Sequence, residues 1–211
     1  MNKNIVLTTL FFGAIWGILE ATLGYLLKFL PPLVSGSIMF PIGASLLTMV
    51  YLNTQSKTSV LAVGILAATI KSINFLMPGL LPIKTYNPMI SIILQSMMMV
   101  GVCYLLDQKK VSLHLIGFAV ASVMWRVLFY VNISINHALT NFPFPQMSSS
   151  QKTLEFIVTY GLMGALLTIL CYGFIVLIKN RVVFAYRPKL YLSLSMIILA
   201  VALTFYLQLI G

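Results

Sequence analysis

Seven apolar runs, each close to the 20 or so residues a helix needs to cross about 30 Å of hydrocarbon, dominate this chain and restrict what it can fold into. They lie near Ile5 to Leu27, Val34 to Leu52, Ser59 to Met77, Pro88 to Leu106, Ser112 to Val131, Thr153 to Ile178 and Leu190 to Ile210. With 60% hydrophobic and only 8% charged residues among 211, no water-soluble domain of this length would result. The expected fold is therefore all-α: a polytopic transmembrane helix bundle of about seven spans, forming a single integral membrane domain over residues 1–211. Lys3 and the apolar run after it resemble a signal peptide, but the run continues past Glu20 without a small-residue cleavage site and reads as a retained first span.

The charges sort by side. Lys and Arg total 13 against 3 Asp and Glu, a formal charge of +10, yet the basic residues sit mostly in short connections rather than in a nucleic-acid-binding patch. Assigning connections to alternate sides puts Lys3, Lys57, Lys109, Lys110, Lys179, Arg181, Arg187 and Lys189 with the N-terminus, and only Lys28, Lys84 and Lys152 opposite. The positive-inside rule then makes the N-terminus cytoplasmic and the C-terminus external, in what we expect to be a prokaryotic plasma membrane. Inner connections are short and charged. The outer ones are longer and rich in proline: FLPPLVSG, MPGLLPIKTYNP and INHALTNFPFPQMSSSQK. Function is expected on that outer side, although proline also serves simply to end helices.

Glu20 stands in the middle of the first run, on a stripe formed by Gly13, Trp16, Gly17, Gly24 and Leu27. Lys71 and Arg126 are the other charges well inside an apolar run, and counting at about 1.5 Å per residue places all three roughly 18 to 23 Å from the cytoplasmic ends. Such charges are costly in a span and need partners. Glu20 with Lys71 is the expected ion pair. Arg126 is then left either to receive a carboxylate or phosphate from a ligand, or to reach headgroups or backbone carbonyls.

Further polar residues fall where an outer chamber would need them. Asn74 shares the face of Lys71, while Asn87 and Pro88 read as the N-cap and first residue of the fourth helix, with Ser91 and Gln95 continuing inward. Lys84 and Tyr86 lie just upstream, and Trp16, Phe75, Trp125 and Phe129 offer flat surfaces. The candidate substrate-binding set is Glu20, Lys71, Asn74, Lys84, Tyr86, Asn87, Gln95, Trp125 and Arg126. Enzyme motifs are missing: His114 and His137 have no nucleophile motif, there is no HExxH, Cys103 and Cys171 match no metal or redox spacing, and no P-loop occurs. No catalytic residue, metal or cofactor is expected, and coupling to ATP would require another chain.

Small residues at four-residue spacing in the first helix (Gly13, Gly17, Ala21) and the segment KTYNP leading into the fourth run resemble the substrate-binding, or S, components of energy-coupling-factor transporters. The resemblance implies a six-span core with one added span, an outer-leaflet pocket for a vitamin-like organic anion or zwitterion, and a surface around Gly13, Ala14, Gly17 and Ala21 docking a transmembrane coupling subunit with its ATPases. Two other functions remain open from the residues alone. One is a structural or assembly subunit locked by Glu20 and Lys71; the other is a membrane enzyme acting on lipid or isoprenoid phosphates.

Overall fold

A computed structural model describes residues 3–179 and 188–210; Arg181 and Arg187 of the expected basic connection lie outside the described residues. Among the described residues seven segments are long and apolar enough to cross a membrane, and they make the chain a multi-pass helical bundle. Its helices are α1 (Lys3–Leu26), α2 (Pro32–Thr54), α3 (Lys57–Lys71), α4 (Pro82–Leu106), α5 (Val111–Thr140), α6 (Ser150–Leu154), α7 (Tyr160–Lys179) and α8 (Leu190–Ile210). A π-turn over Glu155–Thr159 joins α6 to α7, and together they form the sixth span.

The ends of these helices follow from local chemistry. Gln55, in the left-handed region at φ 51°, closes α2, and the Ser56 side chain accepts the Ser59 N–H at 3.2 Å to open α3. Two boundaries differ from expectation. The fourth helix starts at Pro82 rather than Pro88, because a proline is tolerated at a helix start and Pro82 takes that place, leaving Pro88 inside. Asn87 is thus not an N-cap. Pro88 instead denies a helical N–H to the carbonyl of Lys84, four residues back. The fifth helix likewise continues through INHALT to Asn141, at φ 53°, so His137 lies on its last turn and bonds the Phe142 carbonyl at 2.8 Å.

Packing arranges six spans in a closed succession: α1 against α3, α3 against α4, α4 against α5, α5 against α7, α7 against α2, and α2 back to α1. The seventh, α8, lies outside this ring along α1, where Ser193 donates to the Leu7 carbonyl at 3.2 Å. The expected all-α bundle of about seven spans is thus present, with the seventh outside the ring of six. Trp16, Phe40, Leu47, Val63, Met99 and Phe118 are among the fully enclosed side chains at its centre.

At the basic end a polar cluster ties three helices together. Asp107 accepts from the Tyr51 hydroxyl and, at 2.7 Å, from Lys57, whose ammonium also stands 4.0 Å from the centre of the Tyr104 ring. The hydrogen bonds from Lys57 and then Tyr51 hold the Asp107 carboxyl below the usual carboxylate range. A depressed folded-state pKa contributes stability that is present above the unfolded value and lost as pH falls through the folded one. Melting temperature should therefore hold from neutral pH to about pH 4 and decline below it, and Asp107→Asn should flatten that acid limb; an unchanged limb in the variant would remove Asp107 as its cause.

Candidate functional site

A cavity of about 950 Å³ opens at the opposite end of the bundle, between the α1–α2 connection, the Met77–Leu80 turn, the Phe144–Gln146 segment and the last residues of α8. Of the expected binding residues, Glu20, Lys71, Asn74, Lys84, Asn87, Gln95 and Trp125 line it. Each arrives from a separate constraint of the fold. Gly13 and Gly17 let α1 approach α3 until Leu66 and Ile70 occupy the space of the absent side chains, which brings Glu20 beside Lys71. Gly64 does the same between α3 and α4, bringing Gln95 and Ser91 toward Lys71 and Asn74.

Glu20 and Lys71 meet, but not as the expected ion pair. The Lys71 ammonium donates to the main-chain carbonyl of Glu20 at 3.4 Å, and no basic group among the described residues forms a salt bridge with its carboxylate. Instead the carboxylate turns one helical turn along α1: its Oε2 lies 3.5 Å from where a side chain on Gly24 would begin. The nearby Trp16 indole nitrogen on α1 is also buried without a hydrogen-bond partner. The other two acids are paired at helix ends, Asp107 with Lys57 at 2.7 Å and Glu155 with Lys152 at 2.8 Å. Glu20 is the exception, and it faces the cavity.

Arg126 and Tyr86 do not line this cavity. Arg126, with no exposed surface, stands behind its aromatic wall, donating to Ser37 Oγ at 2.9 Å and to the Phe156 carbonyl at 3.2 Å. Its guanidinium also lies 4.8 Å from the Trp125 ring and 5.0 Å from that of Phe156. The irregular backbone of the sixth span explains this site. Around its π-turn, the Phe156, Tyr160 and Gly161 carbonyls are taken up by Arg126, by Ser37 at 3.0 Å and by Ser122 at 2.8 Å. The guanidinium thus meets one carbonyl, one hydroxyl and two ring faces, and its buried Nε has no hydrogen-bond partner among the described residues. Tyr86 points to the other side of α4, where its hydroxyl bonds Asn132 at 3.3 Å beside a shallower, mostly apolar pocket of about 490 Å³ that also includes Phe75.

The remaining wall has two parts. Trp125, Phe129, Phe144 and Phe156 form an aromatic side, with Trp125 stacked on Phe40 behind it at 6.0 Å. Opposite charges and amides form the rest, and several of their buried polar atoms have no hydrogen-bond partner: Asn74 Oδ1, Asn87 Oδ1, Gln95 Oε1, Gln146 Oε1 and the Trp125 indole nitrogen. Asn74, Gln95 and Trp125 are only 4%, 3% and 2% exposed, so bulk water does not serve them. Sequence reading missed Gln146, Phe144, Phe156 and the α8 residues Gln208 and Leu209, which reach the cavity through tertiary packing. Gln146, in the FPFPQM segment, carried the one available signal, a polar side chain in a proline-rich connection.

The expected docking face is internal. Gly13 and Gly17 are filled against α3, and Ala14 and Ala21 are buried, because α1 is flanked by α3 on one side and α8 on the other. His114 is a satisfied buried histidine, bonded to the Tyr172 hydroxyl and the Gln108 carbonyl, both at 2.7 Å. No group of three or more His, Cys, Asp or Glu able to hold a metal occurs among the described residues. Comparison with family models, characterised proteins and solved structures finds no match to this chain.

Proposed function

We propose that this protein captures a small, charged organic solute from the outer side of a membrane and hands it inward with a separate ATP-driven coupling module, in the manner of the S components it resembles. The observation that carries the reading is the cavity itself. It holds an unpaired carboxylate, an ammonium with one long hydrogen bond, and buried amides with open acceptor atoms, all at the end away from the basic connections. Buried polar groups without partners cost stability unless something satisfies them, and a polar ligand does so. A purely structural lock between Glu20 and Lys71 is less well supported, since their charged ends are not in contact.

Purified protein screened by thermal melting against a panel of vitamins and related micronutrients should show stabilisation by at least one compound. Gln95→Leu should then weaken that compound by roughly 10-fold, the effect of about 1.4 kcal/mol, while changing the stability of the ligand-free protein little, because removing the unsatisfied Gln95 Oε1 offsets losing the 2.9 Å bond from Gln95 Nε2 to Ser91 Oγ. A panel without any hit would argue against capture. A hit indifferent to Gln95→Leu would move the site elsewhere.

A further inference from the structure

We infer that the cavity is built for an amphoteric molecule, one bearing a protonated nitrogen that meets Glu20 and an anionic group that meets Lys71, with a planar part against Trp125, Phe129 and Phe156. This rests on the solute-capture reading and narrows its ligand class. Two opposite charges line one cavity without closing a salt bridge: the Glu20 carboxylate lies 3.5 Å from where a side chain on Gly24 would begin, and the Lys71 ammonium donates to the Glu20 carbonyl at 3.4 Å.

A ligand of single charge would compensate one of them and leave the other buried without a counter-ion, which low-dielectric surroundings penalise. A ligand carrying both charges compensates both. Arg126 would have tipped the balance toward a plain anion, but its two terminal nitrogens are taken by the Phe156 carbonyl and Ser37 behind the wall, and its unpartnered Nε is buried there with them. Lys84, exposed on the first turns of α4, adds a second cation beside the cavity and suits an anionic group nearer the opening. The aromatic side supplies the flat surface against which a ring can stack.

The test uses three probes that share one ring and differ only in charge: phenylalanine, phenethylamine and 3-phenylpropionate. Their affinities for the full-length purified protein are read by ligand-observed NMR at millimolar concentrations. Phenylalanine should bind about 10-fold more tightly than either singly charged relative, as expected for one additional charge-assisted contact. Glu20→Gln should weaken phenylalanine and phenethylamine and spare 3-phenylpropionate; Lys71→Gln should do the reverse for the two singly charged probes. Melting temperatures of both variants establish that they fold. Lys71→Arg, which keeps the charge, should retain the phenylalanine preference if Lys71→Gln proves unstable.

Equal binding of phenylalanine and 3-phenylpropionate, indifferent to Glu20→Gln, overturns the inference in favour of a simple anion site and leaves solute capture standing. Absence of binding by all three overturns the inference as well. Whether capture falls with it is decided independently by the micronutrient panel.

Discussion

Arg126→Ala is expected to lower stability by roughly 2 to 4 kcal/mol while changing ligand affinity, corrected for the folded fraction, by less than about 2-fold. The guanidinium is the one group that reaches both Ser37 of α2 and the Phe156 carbonyl of the π-turn from α5. Truncation leaves a cavity behind Trp125 and orphans the Phe156 carbonyl, two costs that outweigh the relief of no longer burying a cation. Arg126→Met separates these contributions, because it refills most of the volume without a charge and should be less damaging than alanine. Melting of the detergent-solubilised variants, followed by ligand titration of the folded fraction, measures both quantities. A variant that melts normally but no longer binds would place Arg126 in the site after all.

The second large effect concerns the approach of α3 to α4. A side chain begun at Gly64 would lie 1.6 Å from Ser96 Oγ and 2.6 Å from Ser96 Cβ. The hydroxyl can rotate away, but the Cβ cannot, so Gly64→Ala must separate the helices and is expected to cost about 1 to 3 kcal/mol, with Gly64→Val costing more. Because Lys71 ends α3 at the cavity and Asn74 follows in the turn just beyond it, while Ser91 and Gln95 line the same cavity from α4, ligand affinity should fall too. Compensation supplies the diagnostic. Ser96→Gly in the Gly64→Ala background removes the blocking atom and should recover part of the stability, less the roughly 1 kcal/mol a helical glycine costs. Ser96→Ala keeps the Cβ and should recover nothing. Equal rescue by both would place the clash at the Ser96 hydroxyl rather than at its Cβ, and rescue by neither would show that the contact is not the cause.

Much of the architecture was legible because a bilayer asks a simple question of a sequence. Runs of about 20 apolar residues can satisfy their backbone in hydrocarbon only as helices, so span number and alternation follow from hydropathy. Boundaries were less legible where a second proline competed with the first. Pro82 and Pro88 both qualify as helix starts by type, and the selected one depends on whether the intervening IKTYN can pack as helix against its neighbours. The fifth helix outran its hydropathy for a related reason: polar INHALT is helical at the water-facing end, where apolar character is no longer required.

The same division holds at the site. That Glu20, Lys71 and Arg126 required compensation could be read from residue type and depth, since a formal charge in a span is costly wherever it points. What compensates each could not, because side-chain direction and helix rotation depend on packing. Lys71 found a carbonyl, Arg126 found Ser37, Phe156 and two ring faces, and Glu20 was left facing the cavity. Residue pattern was enough to establish a seven-span bundle with small residues on its first helix and a polar layer within. Only tertiary packing could decide that those small residues face α3, that α8 flanks the same helix, and that a shared depth yields two charges in one chamber and a third behind its wall. Hydropathy is a property of each segment alone, whereas the partner of a buried charge is a property of every helix around it.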